Sequence, residues 1–264
     1  MAWVLDLDGV VWLLEQAIPG APDAVAALRA AGERVLFVTN NSSRPAADVA
    51  AALVAIGVPA TGDDVVTSAD AAAALLEPGE RALVLGGAGV LLALRERGVA
   101  TVVGEPDGPV DAVVVGLTRE LTYDRLAAAA TAVRNGARLV ATNADPTLPT
   151  PNGPLPGAGS IVAAVATASG ADPVVAGKPH DPMAVAVRRR IGPGPHWLAG
   201  DRLDTDGRFA AAMGARFALV LTGVTSADDV PYDPEPDLVA PDFAAAVDTV
   251  LGGGGGRGRV GSAQ

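Results

Sequence analysis

The stretch Trp3-Val4-Leu5-Asp6-Leu7-Asp8-Gly9-Val10 opens the chain with an apolar run that ends in two carboxylates and a glycine. Side chains two apart in an extended strand point the same way, so Asp6 and Asp8 would emerge together at the strand's carboxyl end. Open α/β sheets bind ligands at that end. Neighbouring carboxylates repel unless a cation sits between them, which suggests Mg²⁺ with oxygen ligands. A D-x-D-G stretch is also an ordinary turn, so taken alone it leaves both readings open.

Three further polar clusters each follow an apolar run. Thr39-Asn40-Asn41-Ser42 follows Val35–Val38 and offers uncharged donors to an anion, or a cap for the helix after Pro45. Gly177-Lys178-Pro179 follows Val174-Val175-Ala176, and Gly200-Asp201-Arg202-Leu203-Asp204-Thr205-Asp206 follows Trp197-Leu198-Ala199. The last is not a calcium EF-hand loop, because counting from Asp201 puts Asp206 where the sharp-turn glycine belongs. Of the 19 basic residues only Lys178 is a lysine, which suggests a site that wants a compact ammonium rather than a planar guanidinium.

Between the clusters, short Val/Leu-rich runs alternate with Ala-rich stretches at helical spacing. Strands are expected at Trp3–Leu5, Val35–Val38, Ala82–Leu85, Ala112–Val115, Leu139–Ala141, Val174–Val175, Trp197–Ala199 and Phe217–Leu221. Helices are expected between them, several with proline near the first turn (Pro22, Pro45, Pro182). This is the pattern of parallel sheets covered on both faces. Glu77-Pro78-Gly79-Glu80 and Gly170-Ala171-Asp172-Pro173 punctuate the chain about 90 residues apart, enough for a small inserted α/β domain. The expected division is a core from 1–80 and 173–251, a cap from 81–172, and a flexible Gly-rich tail from 252–264.

Composition narrows the function. The chain has 264 residues, 50% hydrophobic and 19% charged, with a net charge of −11 and no cysteine. Wholesale disorder is excluded, and nucleic acid and anionic membrane are poor partners for so acidic a surface. Disulfides, thiolate metal sites and cysteine nucleophiles are excluded together. No apolar stretch reaches the ~20 residues that span a bilayer, and Asp6 interrupts any signal-peptide core, so a soluble cytoplasmic protein is expected.

In order and each after a strand, the four clusters resemble the four motifs of the haloacid dehalogenase (HAD) superfamily, and their spacing resembles its subclass IIA phosphatases. The resemblance runs from Trp3 to about Leu251 and includes Leu221-Thr222-Gly223-Val224 and the loop Thr142-Asn143-Ala144-Asp145-Pro146. It implies a Rossmann-like core with a parallel sheet, carrying an inserted α/β cap of the C2 type. It further implies that Asp6 is the nucleophile, that Asp8 is the general acid and base, and that Lys178 neutralises charge at the phosphoryl group. Thr39, Asn40 and Asn41 would hold the phosphoryl oxygens, while Asn143 and Asp145 would meet the substrate from the cap. Mg²⁺ would be held by Asp6, Asp201 and the main-chain carbonyl of Asp8, with Asp206 orienting a water of its shell. Relatives often dimerise through the cap, so a homodimer is expected. Two positions depart from the pattern: Glu15-Gln16 replaces a small residue after Trp12, and His180, expected to be exposed at a helix start, replaces Ser or Ala.

The second aspartate decides between chemistries within the superfamily. A phosphomonoester's alkoxide leaves poorly without a proton, so Asp8 beside the nucleophile fits ester hydrolysis. The loop Asn143–Ser160 lacks Lys, Arg, His and aromatic residues, which disfavours a second anion or a stacked ring. The expected substrate is a small polyol phosphate such as glycerol 3-phosphate, then phosphoglycolate or pyridoxal phosphate. The alternative is a nicotinamide dinucleotide on the Gly86-Gly87-Ala88-Gly89 turn, although Leu92 stands where the third small residue belongs.

Overall fold

The computed structural model describes residues 1–150 and 152–252. Two parallel sheets organise the chain. The larger has six strands in the order Leu238–Ala240, Arg216–Val220, His196–Gly200, Ala2–Leu5, Arg34–Thr39, Val65–Thr67. The smaller has five, in the order Val174–Val175, Arg138–Ala141, Ala112–Val115, Arg81–Leu85, Ala100–Val102. The first is a Rossmann-like core and the second the sheet of an inserted α/β cap. The smaller sheet takes in Val174–Val175, so it extends two residues beyond the expected return to the core at 173. The expected tail lies outside the described residues except for Gly252, which ends the helix Phe243–Gly252.

All eight expected strands form. Ala2–Leu5 sits at the centre of the core sheet, buried on both faces between Arg34–Thr39 and His196–Gly200. Trp3 stacks on Trp197 at 5.6 Å between ring centroids and meets Phe243 edge-on at 6.0 Å, anchoring the strand that carries Asp6.

The other face of the core sheet joins the cap. Val4, Leu36, Val38 and Leu198 belong to one continuous apolar cluster with Val84, Val90, Leu94, Val114 and Val140 of the cap. The helix Ser68–Ala73 lies in this shared layer, buried along most of its length and packed against Ala88–Glu96 of the cap and Asp181–Ile191 of the core.

The Gly86–Gly89 turn serves this junction rather than a dinucleotide. The amide of Gly89 donates to the Ser43 carbonyl at 3.1 Å. A Cβ on Gly89 would stand 2.5 Å from the Arg44 carbonyl oxygen, and one on Gly87 would stand 2.9 Å from that of Ser43. Core main chain therefore fills the space in front of the helix start where a pyrophosphate would have to lie.

Candidate active site

The carboxyl ends of the central strands converge on one cleft of about 410 Å³ at the edge of the cap. Asp6, Asp8, Thr39, Asn40, Asn41, Asn143, Asp145, Lys178 and Asp201 all line it. Of the expected site residues only Asp206 does not, being fully buried behind Lys178.

Lys178 holds the centre. Its Nζ lies 2.7 Å from Asp6 Oδ1 and 2.7 Å from Asp206 Oδ1, with 4% of the side chain exposed. Burial alone would lower its pKa, but Asp206 and Asp6 outweigh that and hold it well above the ordinary lysine value. Asp206 is aimed inward by one turn of π-helix, Leu203–Gly207, whose amides at Asp206 and Gly207 donate to the Arg202 carbonyl. Its Oδ2 accepts from the Arg202 amide at 3.2 Å. Both Asp206 oxygens thus have protein partners, and its visible task is to seat the ammonium.

Asp201 is wrapped by backbone. Its Oδ2 accepts from the Val224 amide at 2.7 Å. A Cβ on Gly223 would come 1.9 Å from that oxygen, and one on Gly9, at φ +82°, would come 2.6 Å from the same carboxylate. Both glycines permit a close approach that no other residue would allow.

The carboxylates crowd. Single oxygens of Asp6, Asp201 and Asp206 lie within 4.8 Å of one another. Burial pushes all three up to about 6, and the neighbouring acids push in the same direction. Such a set, poorly solvated and mutually repelling, suits a hard divalent cation with oxygen ligands. Asp8 faces the open cleft, and its carboxyl is pushed up to about 6, chiefly by lost solvation between the cleft walls. Trp12 Nε1 donates to Asp8 Oδ1 at 3.1 Å, which leaves Oδ2 for a transferable proton. The side chain of Asp8 is not in the three-carboxylate cluster.

A metal-linked stability effect follows. Carboxyls at about 6 in the fold and near 3.8 unfolded stabilise the metal-free protein fully below pH ~4 and lose that contribution as pH rises through ~6. Added Mg²⁺ should therefore raise the thermal midpoint more at pH 7 than at pH 5, where it must first displace protons. Equal shifts at both pH values in a fluorescence melt would contradict a cation held by Asp6 and Asp201.

Other parts of the site were not apparent in the sequence. Arg202 lines the cleft, but its guanidinium is engaged by Asp204, with Nε at 3.1 Å and Nη2 at 2.8 Å from the two oxygens. The loop after Trp12 closes as a hairpin, Trp12–Leu13 against Gln16–Ala17, with Leu14 and Glu15 both in the left-handed region. Glu15 pairs with Arg44. The cap loop is likewise a hairpin, Thr147–Leu148 against Leu155–Pro156. His180 is exposed and precedes the helix Asp181–Ile191, as expected.

Known proteins resemble this chain in sequence and fold. The family model for haloacid dehalogenase-like hydrolases matches residues 3–100, and a second, HAD-hydrolase-like model matches residues 175–246. An acid sugar phosphatase of Staphylococcus aureus is 36% identical over 234 residues, covering 87% of this chain and 89% of its own length. The chain belongs to the haloacid dehalogenase-like hydrolases, in their class IIA group of phosphatases. A D-glycerol 3-phosphate phosphatase of Mycobacterium tuberculosis is 46% identical over 233 residues, 87% of this chain. The match spans 65% of that protein's length. The crystal structure of a glycerol phosphate phosphatase from the same organism in complex with magnesium superposes with a TM-score of 0.85 at 42% identity, covering 92% of this chain and 75% of that one. Among the described residues no helix is long and apolar enough to cross a membrane.

Proposed function

We propose that this class IIA phosphatase hydrolyses small organic phosphomonoesters, with the polyol ester glycerol 3-phosphate first and phosphoglycolate or pyridoxal phosphate behind it. The observation that carries the chemistry is the pairing at one strand end of Asp6, fixed by Lys178, with Asp8, which is raised toward neutrality. Asp6 attacks phosphorus in line, forming an aspartyl phosphate as the bond to the leaving oxygen breaks. Asp8 gives its Oδ2 proton to that oxygen and the alcohol departs. Asp8 then takes a proton from water, whose oxygen attacks phosphorus, releasing phosphate and restoring Asp6. Lys178 offsets negative charge on Asp6 and the phosphoryl oxygens, while Thr39 and the Asn40 backbone grip those oxygens, the Asn41 amide being engaged by Thr39 Oγ1 at 3.0 Å. Asp6, Asp201 and the Asp8 carbonyl would hold Mg²⁺, which supplies charge neutralisation of the transferring group.

The leaving-group side favours polyols. Leu13, Leu14, Leu117 and Leu148 form apolar walls, and none of the lining residues is aromatic, so a pyridine ring or nucleobase finds no stacking partner. The cleft's second cation, Arg202, is already paired to Asp204, and Asp145 adds negative charge. A carboxylate or second phosphate is repelled there, whereas hydroxyls find acceptors. A cap-mediated homodimer belongs to the same proposal, supported by the edge strand Ala100–Val102 and the neighbouring Val103, 53% exposed.

Phosphate release measured across glycerol 3-phosphate, phosphoglycolate and pyridoxal phosphate tests the reading. The highest kcat/KM is expected for glycerol 3-phosphate, with activity lost in EDTA and regained with Mg²⁺. Faster turnover of phosphoglycolate would overturn the substrate class, and no release from any ester would overturn the reaction.

A further inference from the structure

Asn40 makes a set of contacts that phosphate binding does not require. Its side-chain Oδ1 accepts from the Lys178 amide at 2.8 Å, and its Nδ2 donates to the Lys178 carbonyl at 3.1 Å, a two-point clamp on the lysine's own peptide units. The same Nδ2 donates to Asp145 Oδ2 at 3.1 Å, across the boundary between core and cap. The main-chain carbonyl of Asn40 accepts from Asn143 Nδ2 at 2.6 Å, and Asn143 Oδ1 in turn accepts from the Asp145 amide at 3.1 Å. Gly177 makes room for the clamp, since a Cβ there would lie 2.6 Å from Asn40 Oδ1.

We propose that Asn40 is a positioning residue whose side chain locks the cap loop to the lysine loop, so that Asp145 and Lys178 are set in the cleft by one amide. An amide is the group the position calls for. Asn40 needs an acceptor for one N–H and two donors for two oxygens, and only an Asn or Gln side chain carries both. Aspartate keeps the acceptor but turns an oxygen toward the Asp145 carboxylate and the Lys178 carbonyl. Alanine leaves the Lys178 peptide and Asp145 without a shared partner. Asp145, pinned in this way, is the acceptor that a polyol leaving group meets. In that respect the inference rests on the phosphatase reading above.

The test is a double-mutant cycle of Asn40→Asp and Asp145→Asn with two readouts. The first is kcat and KM for glycerol 3-phosphate and for p-nitrophenyl phosphate, whose aryl group brings no hydroxyl for the cap loop. The second is hydrogen exchange at the amides of Ala144, Asp145, Thr147, Leu148, Leu155 and Gly157, which needs no turnover. Asn40→Asp should cost roughly 10- to 100-fold in kcat/KM on glycerol 3-phosphate and speed exchange in the cap loop. The double variant reverses the donor and acceptor across the boundary. It should slow exchange again and regain about 10-fold on glycerol 3-phosphate, with less recovery on p-nitrophenyl phosphate because the Lys178 carbonyl still lacks its donor. Strictly additive effects in both readouts, or unchanged exchange in Asn40→Asp, would overturn the latch. If the wild-type protein released no phosphate while the exchange cycle still showed coupling, the latch would stand and the phosphatase reading would fall. If Asn40→Asp fails to fold, Asp145→Ala alone decides, because it removes the oxygen that accepts from Asn40 Nδ2: exchange in the cap loop that stays at the wild-type rate refutes the lock.

Discussion

Asp6→Asn should release no measurable phosphate from any ester, because an amide cannot attack phosphorus. Asp8→Asn should instead slow turnover by roughly two to four orders of magnitude, the usual scale for losing a general acid and base. The two losses should differ in their dependence on the leaving group. Glycerol departs as a strongly basic alkoxide and suffers the full penalty without a proton, whereas p-nitrophenolate leaves unaided and should suffer least in the first half-reaction. Trp12 keeps Asp8 ready by occupying Oδ1, so the asparagine still has a partner and the fold should be undisturbed. Steady-state rates on both esters, with a thermal melt of each variant, make the check. Asp8→Asn turning over glycerol 3-phosphate at the wild-type rate would remove the acid role.

How much of this site the sequence discloses depends on how each group is held. Asp6 and Asp8 are legible because strand geometry alone carries them to one end, and Trp3-Val4-Leu5 is too apolar to be anything but a buried strand. The clusters at Thr39, Lys178 and Asp201 are legible for the same reason. The edge strands Val65–Thr67, Ala100–Val102 and Leu238–Ala240 are not expected from the sequence and form because a neighbouring strand supplies their partners. The helix Ser68–Ala73 did carry a signal. Thr67 and Asp70 form a capping box, with the Thr67 amide and hydroxyl both donating to Asp70 at 2.8 Å. The Asn40 lock could not be read at all, since its partners lie 105 and 138 positions away along the chain. The depth of Lys178 was equally hidden. Its uniqueness marks it for a special place but gives no measure of burial, and the fold encloses it almost completely.

That burial changes what loss of the lysine should do. With Nζ 2.7 Å from both Asp6 and Asp206, Lys178→Ala leaves two enclosed carboxylates facing each other without their counter-charge. Removing one partner of a buried ion pair typically costs about 3–5 kcal/mol, so the melt should fall as well as the rate. The fall should be larger at pH 7 than at pH 5. Asp6 and Asp206 stand at about 6 even with the ammonium present, and without it they take up a proton more readily, which relieves the repulsion as pH drops. Lys178→Arg separates charge from shape. It keeps the positive charge, but a planar guanidinium is too broad for a point shared by two carboxylates and the phosphoryl group. Its rate should fall by roughly 10²–10³, the scale of losing one preorganised donor to a developing charge, with a smaller loss of stability than in the alanine variant. Rates are read well below both melting points, beside melts at the two pH values. Wild-type turnover in Lys178→Arg would mean that positive charge alone is what the site requires, and a Lys178→Ala melt independent of pH would mean that the ammonium does not balance Asp6 and Asp206.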